Sequence, residues 1–207
     1  MISELESAFW SEEGDKVKTV FLDTETTGFE PGNVVQLSYV IVDKQYEPVA
    51  QNFWFAVEYV EPGAEHIHGM SVEILRQLSG GQVFADVSDI VARDLSDSLL
   101  ITHNVAFDRR FLETELQRCQ RAWPARETFC TMQHFTPILR LPGNYGYKWP
   151  RLEELMGYLH ISAEDVQEKA LQLFGTDAVG AHDARFDCTA VLECYQASVS
   201  AGLLLPR

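Results

Sequence analysis

The chain has 207 residues, 46% of them apolar and 23% charged, with a net charge of −15 and a mean hydropathy of −0.12. That is the size of one ordinary domain, read here as residues 1–207 with a core from about 17 to 198, and no apolar run nears the roughly 18 residues of a membrane span. The polar, acidic start MISELESAFWSEE lacks the pattern of an export signal, and four cysteines without a C-x-x-C pair read as reduced, buried thiols, so the expected setting is the cytoplasm.

Residues 17–23 end in the continuous apolar run Val20, Phe21, Leu22, the pattern of a central strand covered on both faces. Residues 34–43 and 53–57 read as further strands, with Gly28, Pro31, Gly32 and Asn33 in the first turn. Helices are expected at 71–78 and 83–95, a short strand at 99–102 and a helix from about 106 to 121. An extended loop follows between Thr131 and Leu152, then helices at 149–159, 165–174 and 184–197. The order, three strands, helices, and then alternating strand and helix, predicts an α/β sheet with helices on its faces.

The net charge argues against a polyanionic partner, yet it is uneven. Between Arg109 and Arg151 eight basic residues face three acidic ones, which leaves that strip at +5 and the rest of the chain at −20. A track for a phosphate backbone and a solvated helix face both fit this count. In the loop, Phe135, Tyr145, Tyr147 and Trp149 alternate with Arg140 and Lys148, which suits a base-stacking surface and equally a cover for the core.

Three segments carry chemistry. In FLDTETTG, Asp23 and Glu25 stand at i and i+2 of a strand and so share a face. A lone D-x-E arises about once by chance in a chain of this length, so the pair is also compatible with an ordinary strand end. In ITHNVAFD, Asp108 begins a helical stripe continued by Phe111, Leu112 and Cys119, a core-facing position where a carboxylate needs a partner; capping the helix or pairing with Arg109 or Arg110 is the plainer account. In AHDARFDC, Asp187 lies in line with Val191 and Cys194, Asp183 suits a helix cap, and His182 stands just ahead of the helix. Four inward carboxylates, Asp23, Glu25, Asp108 and Asp187, cannot be buried together as anions without a large electrostatic penalty. Hard divalent cations neutralise such a set, and all-oxygen donors favour Mg²⁺ or Mn²⁺ over Zn²⁺. Two such ions roughly 3.5 to 4 Å apart form the clamp used in phosphodiester hydrolysis. His182, a residue type that exchanges protons near neutral pH, suits a general base.

The trio D-x-E-T-T-G, H-N-x-x-F-D and H-x-A-x-x-D, in this order, resembles the DEDDh branch of the 3′–5′ exonucleases, the DnaQ-like family to which the proofreading epsilon subunit of bacterial DNA polymerase III belongs. The likeness runs from about Thr19 to Tyr195. It implies a ribonuclease H-like fold with a five-stranded mixed sheet flanked by helices, and release of nucleoside 5′-monophosphates from a 3′ end with two metal ions. By the same resemblance, Asp23, Glu25, Asp108 and Asp187 match the metal carboxylates and His182 the catalytic histidine. The backbone of Thr26 matches the contact to the terminal nucleotide, and IHGM carries a substrate contact onto His68. Asn104 and Phe107 are expected to line the same cleft, although Phe107 fits the core as well, as do Ile67 and Met70. The epsilon subunit's C-terminal tail has no counterpart, so a stable polymerase association is not expected. The expectation is a freestanding monomeric or homodimeric enzyme acting on single-stranded DNA. RNA trimming is the alternative within the enzyme class, and a catalytically silent module that binds nucleic acid or a polymerase is the competitor outside it.

Overall fold

The run Val20, Phe21, Leu22 does form a central strand. In the computed structural model, which describes residues 18–43 and 46–204, β1 (Thr19–Thr26) buries all three side chains completely. It pairs antiparallel with β2 (Val34–Asp43), which pairs antiparallel with β3 (Tyr46–Trp54). On the other side β4 (Leu99–Thr102) runs parallel to β1, and β5 (Glu127–Cys130) parallel to β4. The result is a five-stranded mixed sheet in the order β3-β2-β1-β4-β5.

Strand alternation divides the core in two. Val20, Leu22, Leu37, Tyr39 and Leu100 face one side, packed against α3 (Phe84–Leu95) and α4 (Val105–Arg118). Phe21, Val40, Ile101 and Phe129 face the other, packed against α5 (Thr131–Leu139), α6 (Leu152–Tyr158), α7 (Ala163–Phe174) and α8 (Ala184–Ser200). Two short helices, α1 (Pro62–His68) and α2 (Val72–Ser79), lie at the end of the sheet near the β1–β2 turn, where Leu75 of α2 packs with Val35, Val60 and Met70.

Several boundaries differ from the sequence reading, each for a physical reason. β1 runs three residues further, to Thr26, while Val17 lies outside the described residues. The third strand occupies Tyr46–Trp54, not 53–57: Pro48 and a partly exposed run hid it, and both are tolerated because β3 is an edge strand. The supposed loop after Thr131 begins as helix α5, with Pro137 in its last turn and Phe135 fully buried. The helix expected from 149 starts at Leu152, with Pro150 ahead of its cap Arg151. The basic strip is mostly spoken for: Arg109 pairs with Glu113, Arg118 with Glu115, Arg121 with Asp89, Lys148 with Glu154 and Arg151 with Glu153. Cys130, Cys188 and Cys194 are buried free thiols and Cys119 is half-buried. Among the described residues no helix is long and apolar enough to cross a membrane.

Candidate active site

Because β1 alternates, Phe21, Asp23 and Glu25 all project towards α8. The Phe21 ring meets Tyr195 with centroids 5.5 Å apart. Asp187 precedes Tyr195 by eight residues, about 12 Å of helix, while Glu25 follows Phe21 by four, about 13 Å of strand. A helix running antiparallel to the strand therefore brings Asp187 level with the acidic pair. Asp23, Glu25 and Asp187 each offer an oxygen within 4.8 Å of the others.

Asp108 arrives from the opposite face, in the first turn of α4, and is buried. Thr24, the residue between Asp23 and Glu25, points to that face and donates from Oγ1 to Asp108 Oδ1 at 2.9 Å. Sequence reasoning passed over Thr24, although the alternation that pairs Asp23 with Glu25 also aims Thr24 at α4. Arg109 and Arg110, the alternative partners for Asp108, turn elsewhere, to Glu113 and to the Phe29 carbonyl.

The carboxylates repel one another in a poorly hydrated place. Burial, reinforced by the charges of Asp187, Asp108 and Glu25, holds Asp23 well above the usual carboxylate range. Burial, with the charges of Asp187, Asp108 and Asp183, pushes Glu25 up to about 9. Burial and Asp183 raise Asp187 to about 7, and burial raises Asp108 to about 6 against the pull of the Thr24 hydroxyl. Such a cluster holds protons near neutral pH unless cations replace them. Oxygen donors gathered this closely, with no cysteine or histidine among them, fit hard divalent ions.

A cavity of about 140 Å³ opens beside Glu25, walled by Thr26, Phe29, Ile67, His68 and Phe107. His68 is pinned at its edge. Its Nδ1 accepts from the Met70 N–H at 3.1 Å, so the proton sits on Nε2, which donates to the Thr26 carbonyl at 3.2 Å. Burial lowers its pKa, so the neutral ring is favoured. A Cβ at Gly28 would meet the carboxyl end of the Glu61 side chain, which lies close because the Glu61 N–H bonds the Thr27 carbonyl at 2.9 Å. Asn104 does not line this cavity; it is the N-cap of α4, half-buried, at φ 89°, a left-handed conformation that asparagine tolerates. A larger groove of about 700 Å³ lies behind the β1–β2 turn, against Glu115 and Arg118, and holds none of the four motif carboxylates.

His182 stands exposed on the turn before α8, at φ 59°, outside the group of candidate ligands. Its backbone faces the Asp187 carboxylate. The turn is clamped from the sheet by Gln36, fully buried and paired with Glu25 across β1 and β2. The Gln36 amide donates to Asp183 Oδ1 at 2.8 Å and accepts from the Ala184 N–H at 3.1 Å. Asp183 also caps α8 and grips Arg185 with both oxygens, and Arg185 lies over the Trp54 ring. This clamp was invisible in the sequence because its parts are 147 residues apart.

A family model described as an exonuclease matches residues 20–195, a span that takes in all three motifs. The chain belongs to this exonuclease family. It carries a DnaQ-like domain. The DNA polymerase III epsilon subunit of Rickettsia felis is 34% identical over 116 residues, 51% of this chain and 47% of that protein. The corresponding subunit of Escherichia coli K12 is 28% identical over 134 residues, 59% of this chain and 53% of that one. The chain thus spans about half the length of these curated relatives. Among solved structures, E. coli exonuclease I in complex with a dT13 oligonucleotide superposes with a TM-score of 0.65 at 17% identity, over 89% of this chain and 41% of that one. The zinc-bound exonuclease I–ssDNA complex gives 0.66 at 18% identity, over 93% and 42%. At these identities the likeness is one of fold, and the fold is the ribonuclease H-like exonuclease architecture.

Proposed function

We propose that this exonuclease-family domain acts as a metal-dependent 3′–5′ exonuclease on single-stranded DNA, releasing nucleoside 5′-monophosphates. The observation that carries the reading is the meeting of Asp23, Glu25 and Asp187 within 4.8 Å, directly beside the small cavity walled by Thr26, His68 and Phe107. Asp23, Glu25 and Asp187, with Asp108 behind them, would hold two Mg²⁺ or Mn²⁺ ions. When bound, such ions supply a charge clamp on the attacking and leaving oxygens of the phosphodiester.

The chain's own residues do the rest. His68, by holding the Thr26 carbonyl, fixes the strand end against which the terminal nucleotide lies, and Phe107 and Ile67 offer apolar walls to its base. His182 takes the proton from the attacking water, and its solvent exposure lets that proton leave to bulk water between turnovers. Asp183, Gln36 and Arg185 keep the His182 turn in place.

The test is a time course on 5′- and 3′-labelled single-stranded DNA and RNA of one sequence, with Mg²⁺, Mn²⁺ or EDTA. Metal-dependent laddering of the 5′-labelled DNA, with the 3′ label released at once as mononucleotide, is expected. Faster loss of the RNA would transfer the activity to RNA trimming, and a folded protein inert in every metal would leave a binding module.

A further inference from the structure

The aromatic segment after α5 has no part in the site described above. It folds as a small hairpin, β6 (Pro142–Gly143) and β7 (Gly146–Tyr147), with Asn144 and Tyr145 at its turn. The hairpin is built rather than loose. A Cβ at Gly143 would stand 3.0 Å from the Lys148 backbone nitrogen and 3.1 Å from the Gly146 carbonyl, so the two strands approach closely where glycine carries no side chain. The Lys148 N–H donates to the Leu141 carbonyl at 3.0 Å, and its ammonium is tied to Glu154 on α6 at 2.5 Å.

This braced element presents its rings to water. Tyr145 is 103% exposed, Tyr147 54% and Trp149 65%. Phe135, grouped with them by composition, is fully buried, so the segment divides into one core residue and three surface rings. Tyr147 ends β7 and Trp149 follows it by two residues, so the two exposed rings are neighbours along the chain. Large rings left in water forgo burial that the core would give them, and a cluster of them marks a contact surface. The occupant is constrained by charge. In a chain of net charge −15, no acidic residue occurs between Thr128 and Leu152, a stretch that holds Arg140, Lys148 and Arg151, the last two at the surface in pairs with Glu154 and Glu153.

Placement supplies the final constraint. The carbonyl of Pro150, at the foot of the hairpin, accepts from His103 Nε2 at 2.9 Å. His103 follows β4, whose Ile101 is paired in parallel with Phe21, so the foot is fastened level with Leu22 and Asp23. The hairpin therefore stands at the same end of the sheet as the acidic cluster. We propose that Tyr147 and Trp149, with Tyr145 at the tip, form a stacking platform for the single strand a few nucleotides upstream of the 3′ end. Aromatic rings bind successive bases with little regard for sequence, as an exonuclease that must move along its substrate requires. The proposal rests on the exonuclease reading and specifies where the strand runs.

The test compares the wild type with the Tyr147→Ala/Trp149→Ala double variant on dT2 and dT20, with thermal melts to verify folding and light scattering to fix the oligomeric state. The expected result is a KM for dT20 raised about tenfold or more, kcat within about twofold, and no change on dT2, which is too short to reach the rings. Binding of labelled dT20 in EDTA, followed by anisotropy, should weaken by the same factor, and Trp149→Phe should restore most of it. An unchanged affinity for dT20, an equal loss on dT2, or a dimer that becomes monomeric with intact affinity would each overturn the platform. A wild type that binds dT20 through these rings in EDTA yet cleaves nothing in any metal would overturn the exonuclease reading and leave the platform standing.

Discussion

His68 and His182 show how differently two histidines are employed around one acidic cluster. His68 has both ring nitrogens engaged within the protein, one as acceptor from the Met70 N–H and one as donor to the Thr26 carbonyl. It can shape the cleft but has no nitrogen free to move a proton. His182 is exposed, stands next to Asp187 through its own backbone, and lies outside the carboxylate group. Its removal should therefore separate chemistry from metal binding. His182→Ala is expected to lower kcat by about 10² or more while the rise in melting temperature on adding Mg²⁺ stays as in the wild type. Glu25→Gln, which removes a ligand, should lose both. Paired kinetics and thermal melts on the two variants check this, and a His182→Ala enzyme with wild-type kcat would remove that residue from the reaction.

The elements that carry the chemistry were the legible ones. β1, the start of α4 and the start of α8 announce themselves because an apolar run or stripe ends in a carboxylate, a pattern that core packing alone does not favour. The carboxylates could be named from that pattern, and their meeting point followed once Phe21 and Tyr195 were packed together. β3, β5, α1 and α5 were not legible, each for its own reason. β3 is an edge strand with a proline, β5 is four residues long, α1 buries none of its side chains, and α5 has a proline in its last turn. The contacts that position the site were also hidden, since Thr24 and Asp108 are 84 residues apart and Gln36 and Asp183 are 147 apart. Gln36 offers a direct test of how an element terminus serves chemistry. Gln36→Met keeps the volume but leaves the buried Ala184 N–H without its acceptor and frees Asp183 from the sheet. A stability loss of about 1 to 3 kcal/mol is expected, together with a kcat about tenfold lower and a KM within about twofold, because the His182 turn loosens while the cavity is untouched. Denaturant melts and steady-state kinetics check both numbers, and an unaltered kcat would show that the clamp serves the fold alone.

At the scale of the molecule the governing quantity is charge. The protein carries −15, its basic strip is largely consumed by internal ion pairs, and four carboxylates are pressed together at the end of the sheet. The folded-state pKa of each is raised above its unfolded value, so each favours folding in its protonated form. That contribution is complete below the unfolded values near 4 and is lost as pH rises through the folded values. The relevant steps are about 6 for Asp108, about 7 for Asp187 and about 9 for Glu25, with Asp23 also raised. Metal-free protein should thus melt at progressively lower temperature from about pH 5 to pH 9. Divalent ions displace those protons, so saturating Mg²⁺ should raise the melting temperature more at pH 8 than at pH 5 and flatten the profile. General repulsion in an acidic protein also lowers stability as pH rises, and the Glu25→Gln/Asp187→Asn double variant separates the two causes. If the cluster dominates, the metal-free double variant melts higher than the wild type at pH 8 and loses most of the slope. A slope that survives in the variant would assign the pH dependence to the surface, and a Mg²⁺ shift equal at both pH values would mean that the carboxylates bind the ion without giving up protons.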